Sequence, residues 1–472
     1  MRNFEWLIVA VLAVYAVAPN LRWRRWLPVV ALATVPAQLV LEGYRWQMVP
    51  LYAVVVILAA LEVVRRLRRP AGAGARPATA TGRRPSSRRR WAAAGASVVV
   101  LVVASAPPVL FPVPHLPAPG GPDRIGTITF EWTDPSRLEA YTQAPDDLRK
   151  VMVQIWYPAS AVPGATTAPW MDHLDIVGPH IAAYLGLPGF FLDHASLVKT
   201  NDYPDAPSDP AGAPYPVVLY SHGWNGFRSI NLNQSEALAS RGYIAVAIDH
   251  TYGAMVTAFT DGQVALNNPV AVPVDAPADV FQAATTQLEA TYAADLRFTL
   301  DQLELINSGA IHSQLAGRMD LTRVGVYGHS TGGGATVVMC AADPRCKAAL
   351  GMDPWLGPVP QPVIGTGLRQ PYLAMMSETW STPTNNALLD TLLAAGTGDN
   401  TKITIAGTSH LDFTMLPLLS PLAPALGLKG PIDGERGMQI ITDNLVAFFD
   451  RYLKGAGTLD PAGYPEATFE VR

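Results

Sequence analysis

Cysteine is nearly absent from this 472-residue chain: there are two, Cys340 and Cys346, six positions apart. Neither stands at metal-ligand spacing, which excludes a cysteine-built zinc site. Asp343-Pro344 between them ends a helix, so the sequence leaves two readings open, a single bridge outside the cytoplasm or two buried thiols. Clusters of His, Asp and Glu with ligand spacing are missing too, so the expected chemistry uses no metal and no cofactor. The one glycine-rich loop that follows a strand carries neither G-x-G-x-x-G nor G-K-[ST], and this excludes a dinucleotide or triphosphate cradle. Acidic residues are scarce in one region only. Residues 1–91 hold 15 Arg and 3 acidic groups, a net of +12, whereas the other 381 residues hold 19 Lys+Arg and 35 Asp+Glu, a net of −16. A single homogeneous globule does not partition its charge this way.

The basic part alternates apolar runs with arginine clusters. The runs lie at 6–19, 26–41, 48–64 and 92–113, and the first three fall short of the ~20 residues that span a bilayer unless flanking residues extend them. A small-residue cleavage site does not follow the first run, so a plain secretory signal is a poor match. Arginine content assigns Arg22, Arg24, Arg25 and the loop 65–91 to the cytoplasmic side, and the short loop with Glu42 and Arg45 to the other side. Four crossings satisfy this, or two if the second run is a hairpin or interfacial segment, and either count puts everything past residue 113 outside the cytoplasm. The stretch Pro70–Arg90, made of Ala, Gly, Pro, Ser and Arg, is predicted to be disordered and to touch anionic lipid rather than nucleic acid. The expected organisation is a transmembrane helical region over 1–113, a proline-rich linker over 114–124 and a catalytic domain over 125–472.

Beyond the linker, apolar and alternating runs predict strands at 125–132, 150–158, 216–220, 242–249, 323–327, 347–352, 371–376 and 402–405, the last of the sheet. Helices are predicted near 176–185, 235–241, 277–306 and 440–453, and the segment 250–274 reads as a loop or mobile cap. Strands alternating with helices imply an α/β fold with a central, mostly parallel sheet.

The chemistry concentrates at Gly328-His329-Ser330-Thr331-Gly332. A buried strand enters this G-x-S-x-G string and a small-residue helix leaves it, the setting of a nucleophile elbow. Glycines at 328 and 332 remove Cβ atoms where the chain doubles back, and the helix start aims free N–H groups at a developing oxyanion. A serine nucleophile needs a base and a carboxylate behind that base, supplied in this fold in the order Ser, Asp or Glu, His. Ser330, Asp353 and His410 occur in that order, each just past a predicted strand. Glu378 is a rival acid and His250 a rival base, because both also follow strands, and Asp412 reads as a loop-orienting residue. His222 and His329 flank the two glycine loops as hydrogen-bonding residues around the site. The loop Ser221-His222-Gly223-Trp224 supplies a second oxyanion donor, so the amides of Trp224 and Thr331 form the expected hole. Trp224 and Trp355 place aromatic faces beside the site, either as an acyl pocket or as core packing.

Four separated blocks carry a family resemblance: Val218-Leu219-Tyr220-Ser221-His222-Gly223 with Phe227-Arg228, the elbow itself, Arg345 to Trp355, and Ile403 to His410 with Phe413. Together, over about 125–453, they resemble the platelet-activating factor acetylhydrolase family, plasma and intracellular type II form, within the α/β-hydrolases. The resemblance implies Ser330, Asp353 and His410 as the triad, Trp224 and Thr331 as oxyanion donors, and calcium-free hydrolysis of short or oxidised acyl chains of phospholipids. A membrane-embedded N-terminal part and Trp224, where the family often has a smaller aliphatic residue, depart from the pattern. The expected activity is therefore a serine ester hydrolase on lipid or small ester substrates. Its alternatives are a broad carboxylesterase, lipase or cutinase-like polyester hydrolase, then a serine peptidase, an acyltransferase or a non-catalytic membrane-tethered binding protein.

Overall fold

Apolar runs separated by arginine clusters become helices in the computed structural model, which describes residues 1–18, 21–68, 87–380 and 382–472. Two compact units result, one formed by Met1–Pro114 with the short stretches Asp193–Leu197 and Leu419–Pro421, the other by the remainder. In the first, helices α1 (Asn3–Val17), α2 (Leu27–Leu41), α3 (Val49–Leu67) and α4 (Ser87–Leu110) coincide with the four apolar runs. Among the described residues one segment, Trp46–Leu67, is long and apolar enough to cross a membrane by length and composition. Of the stretch 70–90 expected to be disordered, 70–86 lies outside the described residues, whereas 87–90 is helical and opens α4. Around a small apolar core of Ile8, Leu12, Met48, Leu51 and Val55, this unit buries polar side chains and leaves large apolar ones exposed. Glu5, Gln38, Arg45 and Gln47 are buried, while Trp6, Trp26, Val40, Ile57, Val63 and Val102 stand exposed. Arg45 satisfies its buried charge with Glu5 (2.5 Å) and with the carbonyls of Pro108 (3.2 Å) and Phe111 (2.9 Å), groups that the end of α4 leaves without helical partners.

The second unit holds a ten-stranded sheet. Its strands are β1 (Arg124–Leu138), β2 (Leu148–Ala159), β3 (Asp202–Pro204), β4 (Tyr215–Ser221) and β5 (Ile244–Asp249), and then, past a small hairpin of β6 (Val256–Ala258) and β7 (Val264–Leu266), β8 (Met319–His329), β9 (Cys346–Met352), β10 (Tyr372–Ser377), β11 (Asn400–Ile405) and β12 (Ala467–Val471). The order is β12-β11-β10-β9-β8-β4-β5-β2-β1-β3. Strands β11 to β5 in that order run parallel and are buried, which explains their continuous apolar sequences. Antiparallel β2 and β12 flank this parallel block.

Helices α5 (Leu174–Tyr184), α6 (Leu232–Ala239), α7 (Ala278–Asn307), α8 (Thr331–Ala342), α9 (Gln361–Thr366), α10 (Pro383–Ala395) and α11 (Gly434–Lys454) complete the unit. Alternation along β8 decides what packs on each face. Val324 and Val326 join the core that holds Leu288 and Leu296 of α7 and Val337 of α8. Gly325 and Tyr327 point the other way, and a Cβ on Gly325 would come within 2.4 Å of the Phe449 ring of α11.

Several expectations need correction. The segment 250–274 contains the β6–β7 hairpin. The sheet does not end at β11, since the charged and polar mixture of 467–471 hid an edge strand that pairs with it. Helix α10 lacked a clean apolar period and was not expected. The proline-rich stretch is extended, and it is tied down along the second unit: the carbonyl of Pro119 accepts from Arg241 (2.6 Å) and that of Pro117 from Asn201 (3.2 Å). Of the two readings left open for Cys340 and Cys346, the structure has the disulfide.

Candidate active site

The turn from β8 into α8 leaves no room for side chains at its glycines. A Cβ at Gly328 would lie 2.1 Å from the Gly332 carbonyl oxygen, and one at Gly332 would lie 2.1 Å from the carbonyl oxygen of Ser221. Ser330 sits at the apex with φ 55° and ψ −119°, a strained conformation for a residue with a Cβ. Four backbone bonds hold it there. Its amide donates to Met352 O (3.0 Å), and its carbonyl accepts from Gly333 (2.9 Å), Gly334 (3.1 Å) and Trp355 (2.9 Å). Parallel pairing of β8 with β9 therefore brings Asp353 beside the elbow, one residue past β9.

Asp353 is fully buried and saturated with donors. Ser377 donates its amide to Oδ1 (2.7 Å) and its hydroxyl to Oδ2 (2.6 Å), and His410 Nδ1 lies 3.0 Å from the same Oδ2. A carboxylate accepts the Nδ1 proton and leaves Nε2 free to act as a base. The His410 side chain is 21% exposed. Its loop is held against the elbow by His329, whose Nε2 donates to the His410 carbonyl (2.9 Å) and whose ring lies 4.4 Å from the His410 ring. Burial lowers the pKa of His329 well below the usual histidine range, so this donor ring stays neutral. Among the described residues, Ser330 Oγ and His410 Nε2 make no hydrogen bond.

Around the serine, the backbone amides of Trp224 and Thr331 make no hydrogen bond among the described residues. The second is the first residue of α8, where helix geometry leaves N–H groups unpaired and positive. The first follows Gly223, whose missing Cβ would sit 3.0 Å from the Ser330 Cβ. Both sequence-predicted donors thus flank the serine.

The rivals fall elsewhere. Glu378 accepts from the Gly407 amide (2.6 Å), and Asp412 binds Ser409 and Gly430 within its own loop. His250 lies in a wholly buried array of its own: its Nε2 is 2.8 Å from Ser221 Oγ and its Nδ1 2.9 Å from Asp295, which Arg149 clamps at 2.6 Å. Trp355 packs on Phe281 (6.1 Å) and Trp224, partly exposed, leans on the main core. Sequence reasoning missed Trp380, which stacks on His410 at 4.3 Å and 15°. Its only signal was a position three residues past the end of β10.

The sheet order, the elbow and the ordered loops define an α/β-hydrolase. Residues 115–457 match the family described as platelet-activating factor acetylhydrolase, isoform II, and the chain belongs to that family. It is 26% identical to the platelet-activating factor acetylhydrolase of Cavia porcellus over 256 residues, 51% of this chain and 58% of that protein. The Gallus gallus protein of the same name is 23% identical over 276 residues, 51% of this chain and 63% of the relative. The matches thus span about three fifths of these relatives' length. A ferulic acid esterase from Streptomyces cinnamoneus superposes with a TM-score of 0.62 at 27% identity, covering 76% of this chain and 99% of that structure.

Proposed function

We propose that the chain is a serine ester hydrolase that works through an acyl-enzyme on short or oxidised acyl chains of phospholipids or related lipid esters. The observation that carries this is the Asp353-locked His410 beside the Ser330 apex, with two unpaired amides flanking the serine. His410 takes the Ser330 proton, the alkoxide attacks the acyl carbonyl, and the amides of Trp224 and Thr331 receive the negative oxygen. Protonated His410 passes its proton to the departing alcohol. Water, activated by the same base, then releases the acid. The names of the family and its relatives support a phospholipid acetyl ester. Likeness to a ferulic acid esterase favours a second reading, a broad carboxylesterase.

The first unit supports a membrane anchor over 1–113, tethered through the linker 114–124 to a catalytic domain over 125–472. Its exposed apolar and buried polar side chains suit a bilayer and would not suit water. Arginine distribution places the loop 65–91 in the cytoplasm and the catalytic unit outside.

Purified full-length protein is expected to hydrolyse short p-nitrophenyl esters and short-acyl phospholipids, and to be labelled by a fluorophosphonate at Ser330. Ser330→Ala abolishes all three. Peptide cleavage without ester turnover would overturn the reading, and turnover of aryl esters with none of phospholipids would select the second. A reporter fused after residue 122 that is active in the cytoplasm would reverse the topology.

A further inference from the structure

The buried array around His250 does not touch Ser330, yet it reaches the oxyanion loop through one side chain. His222 is wholly buried, with Nδ1 2.7 Å from the Gly223 carbonyl oxygen and Nε2 3.2 Å from the backbone amide of His250. A backbone amide can only donate, so Nε2 is the acceptor and carries no proton. The single proton of the neutral ring is therefore on Nδ1, where it is donated to Gly223 O. Burial first, and then the neighbouring His250, push the His222 pKa down to about 3, which keeps the ring in this neutral form.

That carbonyl shares a peptide plane with the Trp224 amide. In a trans peptide the C=O and N–H point in opposite directions, so fixing one fixes the other. Two donors fix this carbonyl, His222 Nδ1 and the Gly226 amide (2.8 Å). Gly223, on one side of this peptide, has the freedom to accept a flipped plane, so it is the bonds to its carbonyl that select the orientation. The His222 ring is itself boxed in edge-on by His250 (5.0 Å) and Tyr292 (5.6 Å). His250 is pinned at its ring nitrogens by Ser221 and Asp295, and that fixes the strand end carrying the amide on which the His222 tautomer depends.

We propose that His222 is a positioning residue of the oxyanion hole, whose Nδ1–H holds the Gly223–Trp224 peptide so that the Trp224 amide faces the tetrahedral intermediate. The inference rests on the ester-hydrolase reading and names the device that orients one of its two donors. Its consequence is a selective one: losing the donor weakens transition-state binding and leaves ground-state binding alone.

The test compares His222→Asn with His222→Gln in the full-length protein. An asparagine amide reaches the place of Nδ1, whereas a glutamine amide reaches the place of Nε2. With kcat and KM measured on p-nitrophenyl butyrate per fluorophosphonate-labelled site, Gln is expected to lower kcat about 10²-fold with KM within about twofold. Asn is expected to recover at least about tenfold of that loss. Inhibition by a phenylboronic acid, which forms a tetrahedral adduct on serine, should weaken in step with kcat. Equal losses in the two variants, a loss confined to KM, or boronate affinity that does not follow kcat would overturn the proposal. Failure of the wild-type protein itself to label or turn over esters would instead refute the hydrolase reading.

Discussion

One domain contains two arrays of serine, histidine and aspartate, and they are built to opposite ends. In Ser330–His410–Asp353 the acid is buried, the base is partly exposed and the serine hydroxyl makes no hydrogen bond among the described residues. In Ser221–His250–Asp295 every contact is closed, at 2.8 and 2.9 Å, all three residues are buried, and Arg149 with its second carboxylate Glu139 seals the far end. By pairwise geometry alone the second is the better triad. It has no route for a substrate and a hydroxyl already committed to its histidine. Closure makes a scaffold, and an unsatisfied serine at a strained apex makes a site.

The comparison breaks if the arrays can be exchanged in function. His410→Ala is expected to lower kcat/KM by roughly 10⁴-fold or more while the thermal midpoint stays near that of the wild type. Ser221→Ala, the mirror experiment, should lower the midpoint and keep turnover within about tenfold, because its hydroxyl touches only His250. Ester kinetics beside thermal melts of both variants decide this, and a loss of turnover in Ser221→Ala equal to that in His410→Ala would erase the distinction.

Next in size is the clamp on the buried array. Arg149→Met removes the buried cation shared by two buried carboxylates, leaving Glu139 without one and Asp295 with only the partly exposed Arg137. A loss of about 3–5 kcal/mol in denaturant unfolding is expected, with activity per folded molecule largely kept. A stability change below about 1 kcal/mol would mean that the array is not the scaffold described above.

These two arrays also explain what could be read from the sequence. Ser330, Asp353 and His410 were legible because each follows an apolar strand, and parallel strands deliver their ends to one edge. His250 follows a strand as well, but it precedes Ser330 and so falls outside the order Ser, Asp, His. What the sequence hid is its partner Asp295, which comes from the middle of α7, where a charged residue reads as a solvated helix position. Its burial comes from the fold, which brings Arg149, Arg137 and His250 onto it, and no local pattern reports that. Trp380 escaped for a similar reason: it lies in a loop without periodicity, and only the fold carries its ring onto His410. The strand ends of β4 and β8 were readable, and the peptide orientation that His222 imposes between them was not.

A smaller effect tests whether the open array depends on that missed ring. Trp380 stacks flat on His410, where it restricts the imidazole and, in the proposed mechanism, would face the positive charge formed on it. Trp380→Ala is expected to lower kcat about tenfold, in keeping with the ~1–2 kcal/mol of a cation–π contact. Trp380→Phe should recover part of this. Steady-state kinetics of the two variants are sufficient, and an unchanged kcat in Trp380→Ala would leave the ring with a packing role only.

The finest contrast concerns what burial does to a carboxyl group with and without a cation. Burial alone would raise Asp295, yet Arg149 and His250 pull it well below the usual carboxylate range. Glu236 of α6 is buried as deeply without any cation in contact, and burial first, then the adjacent Asp202, push it up to about 8. The two groups therefore act on stability with opposite signs. The Asp295 contribution is present above its ordinary value near 4 and is lost as pH falls below it. For Glu236 the folded pKa lies above the unfolded one, so its contribution is complete below about pH 4.5 and declines as pH rises through about 8. Glu236→Gln keeps an acceptor for Asn201 and has no proton to lose. The wild-type thermal midpoint is expected to fall by several degrees between pH 5 and pH 8, and the variant should flatten that slope. Parallel pH profiles of the two proteins would show instead that Glu236 stays charged in the fold, and that the polar contacts from Asn201 compensate its burial as fully as Arg149 does for Asp295.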